Sequence, residues 1–136
     1  MKSLLLLTTP QKLTLHNHTI YTMTKSDLTT KTCTACEGHE NAMTHEEAEK
    51  MLTHVTEWEL TTNANAISKE YTFDTFTTAL NAINTVGEIA EQEGHHPDIT
   101  LYDYNNLRIT LSTHAIGGLS ENDFIVAAKI DQSLST

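Results

Sequence analysis

Gly94-His95-His96-Pro97 constrains the folding of this chain more than any other stretch. The stripe before it, Phe76, Leu80, Ile83, Val86 and Ala90 with Ala79 and Gly87 beside it, has the spacing of a helix with one buried face. Gly94 is a natural stop, because glycine takes the left-handed conformation of a helix C-terminus without a Cβ penalty. Pro97 lacks an N–H and steers His96 away from helical dihedrals. The chain therefore turns a corner at the two histidines. Beyond it the sequence alternates like a strand: Leu107, Ile109, Leu111 and Thr113 on one face, Arg108, Thr110, Ser112 and His114 on the other.

The same order, helix then strands, occurs upstream. Thr44-His45-Glu46-Glu47 reads as a capping box, followed by Ala48, Met51, Leu52 and Val55 at helical spacing. Trp58-Glu59-Leu60 begins a β-like stretch, and Ile67 to Phe73 alternates apolar and polar. Between them Asn63-Ala64-Asn65 is a turn, since asparagine tolerates left-handed dihedrals. Asp74 is placed to cap the second helix. Gly117-Gly118 breaks the chain after the second strand pair, and Ser120-Glu121-Asn122-Asp123 caps a third helix through Phe124, Ala127 and Ala128. The order α-β-β-α-β-β-α predicts a single α+β domain, with a four-stranded antiparallel sheet and helices on one of its faces.

A length of 136 residues suits one core. Eight basic residues against 18 acidic ones, a net charge of −10, argue against a nucleic-acid surface, which needs clustered Lys and Arg. No apolar run is long enough to span a bilayer. Residues 1–26 differ from the rest. They hold Lys2, Lys12 and Lys25 and no acid, which leaves the remainder at −13. Their only apolar run, Leu4 to Leu7, is short for a signal peptide, and there is no Arg to suggest a transit peptide. The expectation is a disordered or targeting extension over 1–26, a domain over 27–136 and a cytoplasmic location, with organellar targeting the weaker alternative.

An adjacent pair of imidazoles with a third at the end of a strand points to proton transfer. Imidazole has an unperturbed pKa of about 6.5, so it both gives and takes a proton near neutrality. Glu91 lies four residues before His95, which would put both on one face if the helix reached that far, the carboxylate orienting the ring. Simpler readings stand beside these. A histidine is most often a solvated or hydrogen-bonded side chain, Asp123 suits a helix first turn, and Trp58 suits a core. Cys33-x2-Cys36 with His39 offers only part of a zinc ligand set, so reduced thiols are expected. A catalytic zinc on His95, His96 and His114 is a rival, though adjacent imidazoles seldom share one ion.

From about Lys31 to Asp131 the chain resembles the pterin-4a-carbinolamine dehydratases. The residues carrying the resemblance are Glu91, His95-His96-Pro97, Tyr104, His114 and Asp123, with Tyr104-Asn105-Asn106, Leu111-Ser112-Thr113-His114, Gly117-Gly118-Leu119-Ser120 and Trp58-Glu59-Leu60 in support. Cys33-Thr34-Ala35-Cys36-Glu37-Gly38 is similar to the leader of bacterial-type members. Two departures stand out. The family usually has one residue fewer between the proline and the aromatic, so a bulge or longer bend is expected near the strand start. The glycine often found before the tryptophan is Glu57 here.

The resemblance implies a lyase that dehydrates 4a-hydroxytetrahydrobiopterin without metal or cofactor and recycles the pterin used by aromatic amino-acid hydroxylases. It implies His95, His96 and His114 as catalytic residues, Gly94, Pro97, Ser112 and Thr113 around the pterin, and Glu91 and Asp123 in support. A homodimer or homotetramer is implied as well. The alternatives are a dimerisation coactivator, as some animal members are, and a zinc-dependent hydrolase.

Overall fold

The computed structural model describes residues 14–15, 18–19 and 24–135. Two short strands, β1 (Thr14–Leu15) and β2 (His18–Thr19), pair antiparallel. The rest of the expected 1–26 extension lies outside the described residues, apart from Thr24 and the start of α1. Helix α1 (Lys25–Thr30) was not anticipated. With one apolar residue in six it has no periodicity to read, yet that residue, Leu28, is fully buried. The signal available was local: the Thr24 backbone N–H donates to the Asp27 carboxylate at 2.6 Å, a capping device.

The remaining elements follow the expected order. They are α2 (His45–Leu52), β3 (Glu59–Leu60), β4 (Ile67–Thr72), α3 (Phe76–Glu93), β5 (Asp98–Tyr102), β6 (Asn106–Leu111) and α4 (Glu121–Leu134), with a single 3-10 turn, His114–Ile116, before α4. One antiparallel sheet runs β3-β4-β6-β5. Its register stacks Ile67 on Leu111, Lys69 on Ile109 on Ile99, and Tyr71 on Leu107 on Leu101. These side chains share the face the helices cover. Ile67, Leu107, Ile109 and Leu111 are fully buried there with Val86, Phe124, Val126 and Ile130. Each such side chain contributes about 1.5–3 kcal/mol by leaving water. The open face carries Glu70 and Arg108, joined by two hydrogen bonds of 2.8 and 2.6 Å.

Thr44 caps α2 as expected, accepting from the Glu47 N–H at 3.2 Å. Four local expectations need correction. Thr75, not Asp74, caps α3, because its hydroxyl reaches the Thr78 N–H at 3.1 Å. The buried side of α3 is Ala79, Ala82, Val86, Ile89 and Ala90, a stripe rotated from the expected one, so Phe76 and Leu80 are exposed. Three of these five are alanines, and α3 packs against α4. In the β3–β4 turn it is Ala64, at φ 53°, that is left-handed, rather than an asparagine. Finally, the β5–β6 ladder has no bulge from Asp98↔Thr110 to Tyr102↔Asn106. The other expected form, a bend near the strand start, stands just before β6, where Asp103 and Tyr104 are both left-handed (φ 45° and 57°) and Tyr104 is exposed.

Candidate active site

Helix α3 ends at Glu93 because Gly94 turns left-handed, at φ 62°, ψ 29°. The His95 N–H still reaches back to the Ala90 carbonyl at 3.2 Å, and the chain then leaves the helix axis into β5. This corner turns His95 inward. Its Nε2 lies 2.6 Å from Asp123 Oδ1, and its side chain is 12% exposed. The expected pairing of Glu91 with His95 is therefore corrected. The helix stops at Glu93, two residues before His95, and Glu91 Oε1 instead lies 2.7 Å from Nε2 of the exposed His96.

Asp123 is fully buried, in the first turn of α4. The Thr113 hydroxyl donates to its Oδ2 at 2.8 Å and the Ser120 backbone N–H at 2.9 Å, while Oδ1 faces His95. Three donors thus meet this one carboxylate, at the positive end of a helix dipole. With the carboxylate oxygen accepting, His95 Nε2 is the donor of the bond and Nδ1 is the nitrogen left for exchange.

The third histidine arrives from β6. That strand ends at Leu111, Thr113 bridges to Gly118 with its N–H 2.8 Å from the Gly118 carbonyl, and His114 opens the 3-10 turn rather than ending a strand. The His114 ring is exposed, and among the described residues nothing hydrogen-bonds it. A hollow of about 510 Å³ is lined by Gly94, His95, His96, Ser112, Thr113 and His114. Of the residues expected around the site, Pro97 and Glu91 lie off this lining, and Asp123 sits beneath it, reaching it through His95. A depression of similar size, about 570 Å³, lies beside the β3–β4 edge among Glu59, Ser68, Lys69, Glu70 and Arg108, with no imidazole on its lining.

The hollow has a further wall that sequence reasoning missed. Cys33 to Cys36, Glu93 and Asn122 line it too. Burial, with the Glu93 carboxylate next in weight, pushes the Cys33 thiol up to about 12, so it stays protonated. Among the described residues no group of three or more His, Cys, Asp or Glu side chains is arranged to hold a metal ion. No helix among them is long and apolar enough to cross a membrane.

Fold and hollow together define a class of small α+β domains that present histidines where a helix end meets a strand end. Residues 41–133 match the sequence family described as Pterin 4 alpha carbinolamine dehydratase, and the chain belongs to that family. A Methylococcus capsulatus protein provisionally named as a pterin-4-alpha-carbinolamine dehydratase is 46% identical over 110 residues, covering 81% of this chain and 96% of the relative. The Arabidopsis thaliana pterin-4-alpha-carbinolamine dehydratase 2, named as mitochondrial, is 43% identical over 79% of this chain and 59% of its own length. The crystal structure of a transcriptional coactivator/pterin dehydratase from Brucella melitensis superposes with a TM-score of 0.64 at 29% identity, covering 68% of this chain and 97% of that one. A pterin dehydratase-like protein identified as a RuBisCO assembly factor shares the fold at a TM-score of 0.50 and 19% identity, over 58% of this chain and 90% of its own.

Proposed function

We propose that this chain is a hydro-lyase that converts 4a-hydroxytetrahydrobiopterin to quinonoid dihydropterin by histidine general acid–base catalysis, in recycling of the reduced pterin. The observation that carries the reading is a single hollow lined by three histidines from two chain stretches, with a fully buried Asp123 behind His95. Losing water from the carbinolamine takes one proton from a ring nitrogen and delivers one to the departing hydroxyl. His95, with Nε2–H held by Asp123, exchanges its proton at Nδ1. His114, exposed and unconstrained at its ring, is the second partner, and His96 binds the substrate or shares the proton work. Gly94, Ser112 and Thr113 surround the pterin, with Thr113 acting chiefly through its bond to Asp123, while Pro97, off the lining, acts by fixing the corner that carries the two histidines.

His95→Ala and His114→Ala should each lower turnover about 10²–10⁴-fold, the usual worth of one such transfer, with the circular dichroism of the fold unchanged. Near-normal turnover in both variants removes the assignment. Turnover that survives a strong chelator is expected of this route; turnover abolished by chelation and restored by zinc would favour the hydrolase-like alternative. Self-association into a dimer or tetramer belongs to the same proposal, supported by Phe76 and Leu80 exposed together on α3. A monomer in sedimentation at working concentration removes that part.

A further inference from the structure

The segment from Lys31 to Met43 runs along the histidine hollow and is fastened to the end of α3, the start of α4 and the loop between β6 and α4. The Lys31 ammonium pairs with Glu121 at the start of α4. The Cys33 N–H donates to Glu93 Oε2 at 2.9 Å, on the last residue of α3. Asn122 then grips Thr34 from both sides, accepting from its N–H at 3.1 Å and donating to its carbonyl at 2.7 Å, as a neighbouring strand would. The same amide nitrogen lies 3.6 Å from Cys36 Sγ. Further on, a Cβ at Gly38 would sit 3.3 Å from the Ala115 carbonyl, in the turn that carries His114. The Met43 N–H donates to the Leu119 carbonyl at 2.8 Å.

An irregular segment held at this many points has little freedom left, and its residues 33–36 line the hollow. Glu121, Asn122 and Asp123 divide the labour in sequence: Lys31, Thr34 and His95 are held by three successive side chains of one helix turn. The family match begins at residue 41, near the end of this segment, whereas the Methylococcus match covers so much of the chain that it must run across it. Residues 33–36 thus lie outside the part matched by the family model and against the candidate site.

We infer that the strap Cys33–Cys36 is a substrate-contacting wall that sets which 4a-hydroxypterin is accepted, and that Asn122 is the positioning residue that holds it. The inference rests on the dehydratase reading. The wall is made of small side chains, Thr34, Ala35 and Cys36, and a flat bicyclic ring needs close walls to be oriented before proton transfer. Such a wall acts on binding and on choice among ring substituents, not on the proton donors themselves.

The test uses the full chain and two carbinolamine substrates, one with a methyl and one with a dihydroxypropyl group at carbon 6. Asn122→Ala removes two hydrogen bonds to Thr34 and should raise KM about tenfold with kcat kept within about threefold. Its pH–rate profile should match the parent's. Ala35→Phe, at an exposed position that should not disturb folding, should change the ratio of kcat/KM between the two substrates by at least about threefold. The inference is overturned if both variants keep the parent's KM values and substrate ratio, or if Asn122→Ala lowers kcat with KM unchanged. Should Asn122→Ala fail to fold, Ala35→Phe decides alone. A parent protein that turns over neither substrate removes the dehydratase reading, and this inference with it.

Discussion

Asp123 and Asp131 lie on the same helix, both buried, and each draws in donors from distant parts of the chain. Asp131, in the last turn of α4, accepts at Oδ1 from Trp58 Nε1 at 3.1 Å, Lys69 Nζ at 2.8 Å and Tyr71 O–H at 2.7 Å. Lys69 is itself enclosed, with a second bond to the Thr56 carbonyl at 2.8 Å and its ammonium 4.8 Å from the Tyr71 ring centre. Burial, reinforced by the bond to Asp131, pushes the Tyr71 hydroxyl pKa up, so it remains a donor across the physiological range. The helix dipole disfavours a carboxylate at this end, and the lysine offsets it. At Asp123 the dipole favours the charge, and one of the donors is an imidazole that lines an open hollow. The lesson is that a buried carboxylate is not in itself a functional signal. What separates the two is the kind of partner: an imidazole, whose ordinary pKa lies near neutrality, at Asp123, against an ammonium, a phenol and an indole at Asp131.

The largest expected effect breaks the Asp131 knot. Asp131→Ala leaves a buried ammonium without its counter-charge and should cost about 3–5 kcal/mol in denaturant unfolding, with turnover per folded molecule preserved. A loss below about 1 kcal/mol would reduce the knot to a bystander. Next comes Asp123→Asn, which keeps the shape and removes the charge behind His95. It should lower kcat roughly 10–100-fold, as loss of a ring-orienting partner commonly does, with a smaller loss of stability. If stability falls as at Asp131 while kcat is unchanged, the two aspartates are equivalent and the contrast fails.

A third experiment concerns pH at the strap. Burial raises the Glu93 pKa, but the Lys129 ammonium and the Cys33 N–H outweigh it and hold the carboxyl below its usual range. Its stabilisation is therefore full above the unfolded value of about 4.3 and is lost as pH falls through the lower folded value. The Cys33 amide proton, followed by NMR, should titrate with a midpoint under about 4.3; a midpoint above it contradicts this sign. The smallest effect is expected at Glu57, whose φ of 62° strains any residue with a Cβ. Glu57→Gly should stabilise the chain by about 0.5–1 kcal/mol in thermal unfolding. A destabilisation would mean that the exposed contact with Lys69, at 3.8 Å, outweighs the strain.

The order of elements could be read from sequence because apolar period, caps and breakers agreed. Thr44 with Glu47, Gly94 and Ser120 all mark helix ends in the structure. The strand faces of β4 and β6 were readable for the same reason. The rotation of α3 was not, since alanines outweigh Phe76 and Leu80 only when a close-packed neighbour rewards small size. At the site, the three histidines could be located on two separate chain stretches, but their partners could not. Whether Glu91 meets His95 or His96 turns on where the helix stops, and the grip of Asn122 on Thr34 joins positions 88 residues apart. Glu57 is the instructive case. The resemblance showed that a glycine is usual there, and the left-handed backbone supplies the physical cause.

Gly118 carries a consequence for how this chain tolerates change. A Cβ there would lie 2.7 Å from the Cβ of Ala42, an approach that no rearrangement of flexible atoms can relieve. Substitutions at the two positions are therefore coupled: Gly118→Ala alone should be rejected in any selection for folded protein, yet become acceptable once Ala42 is exchanged for glycine. A survey of variants taken one at a time would score position 118 as invariant, when the true constraint is on the summed bulk of a pair.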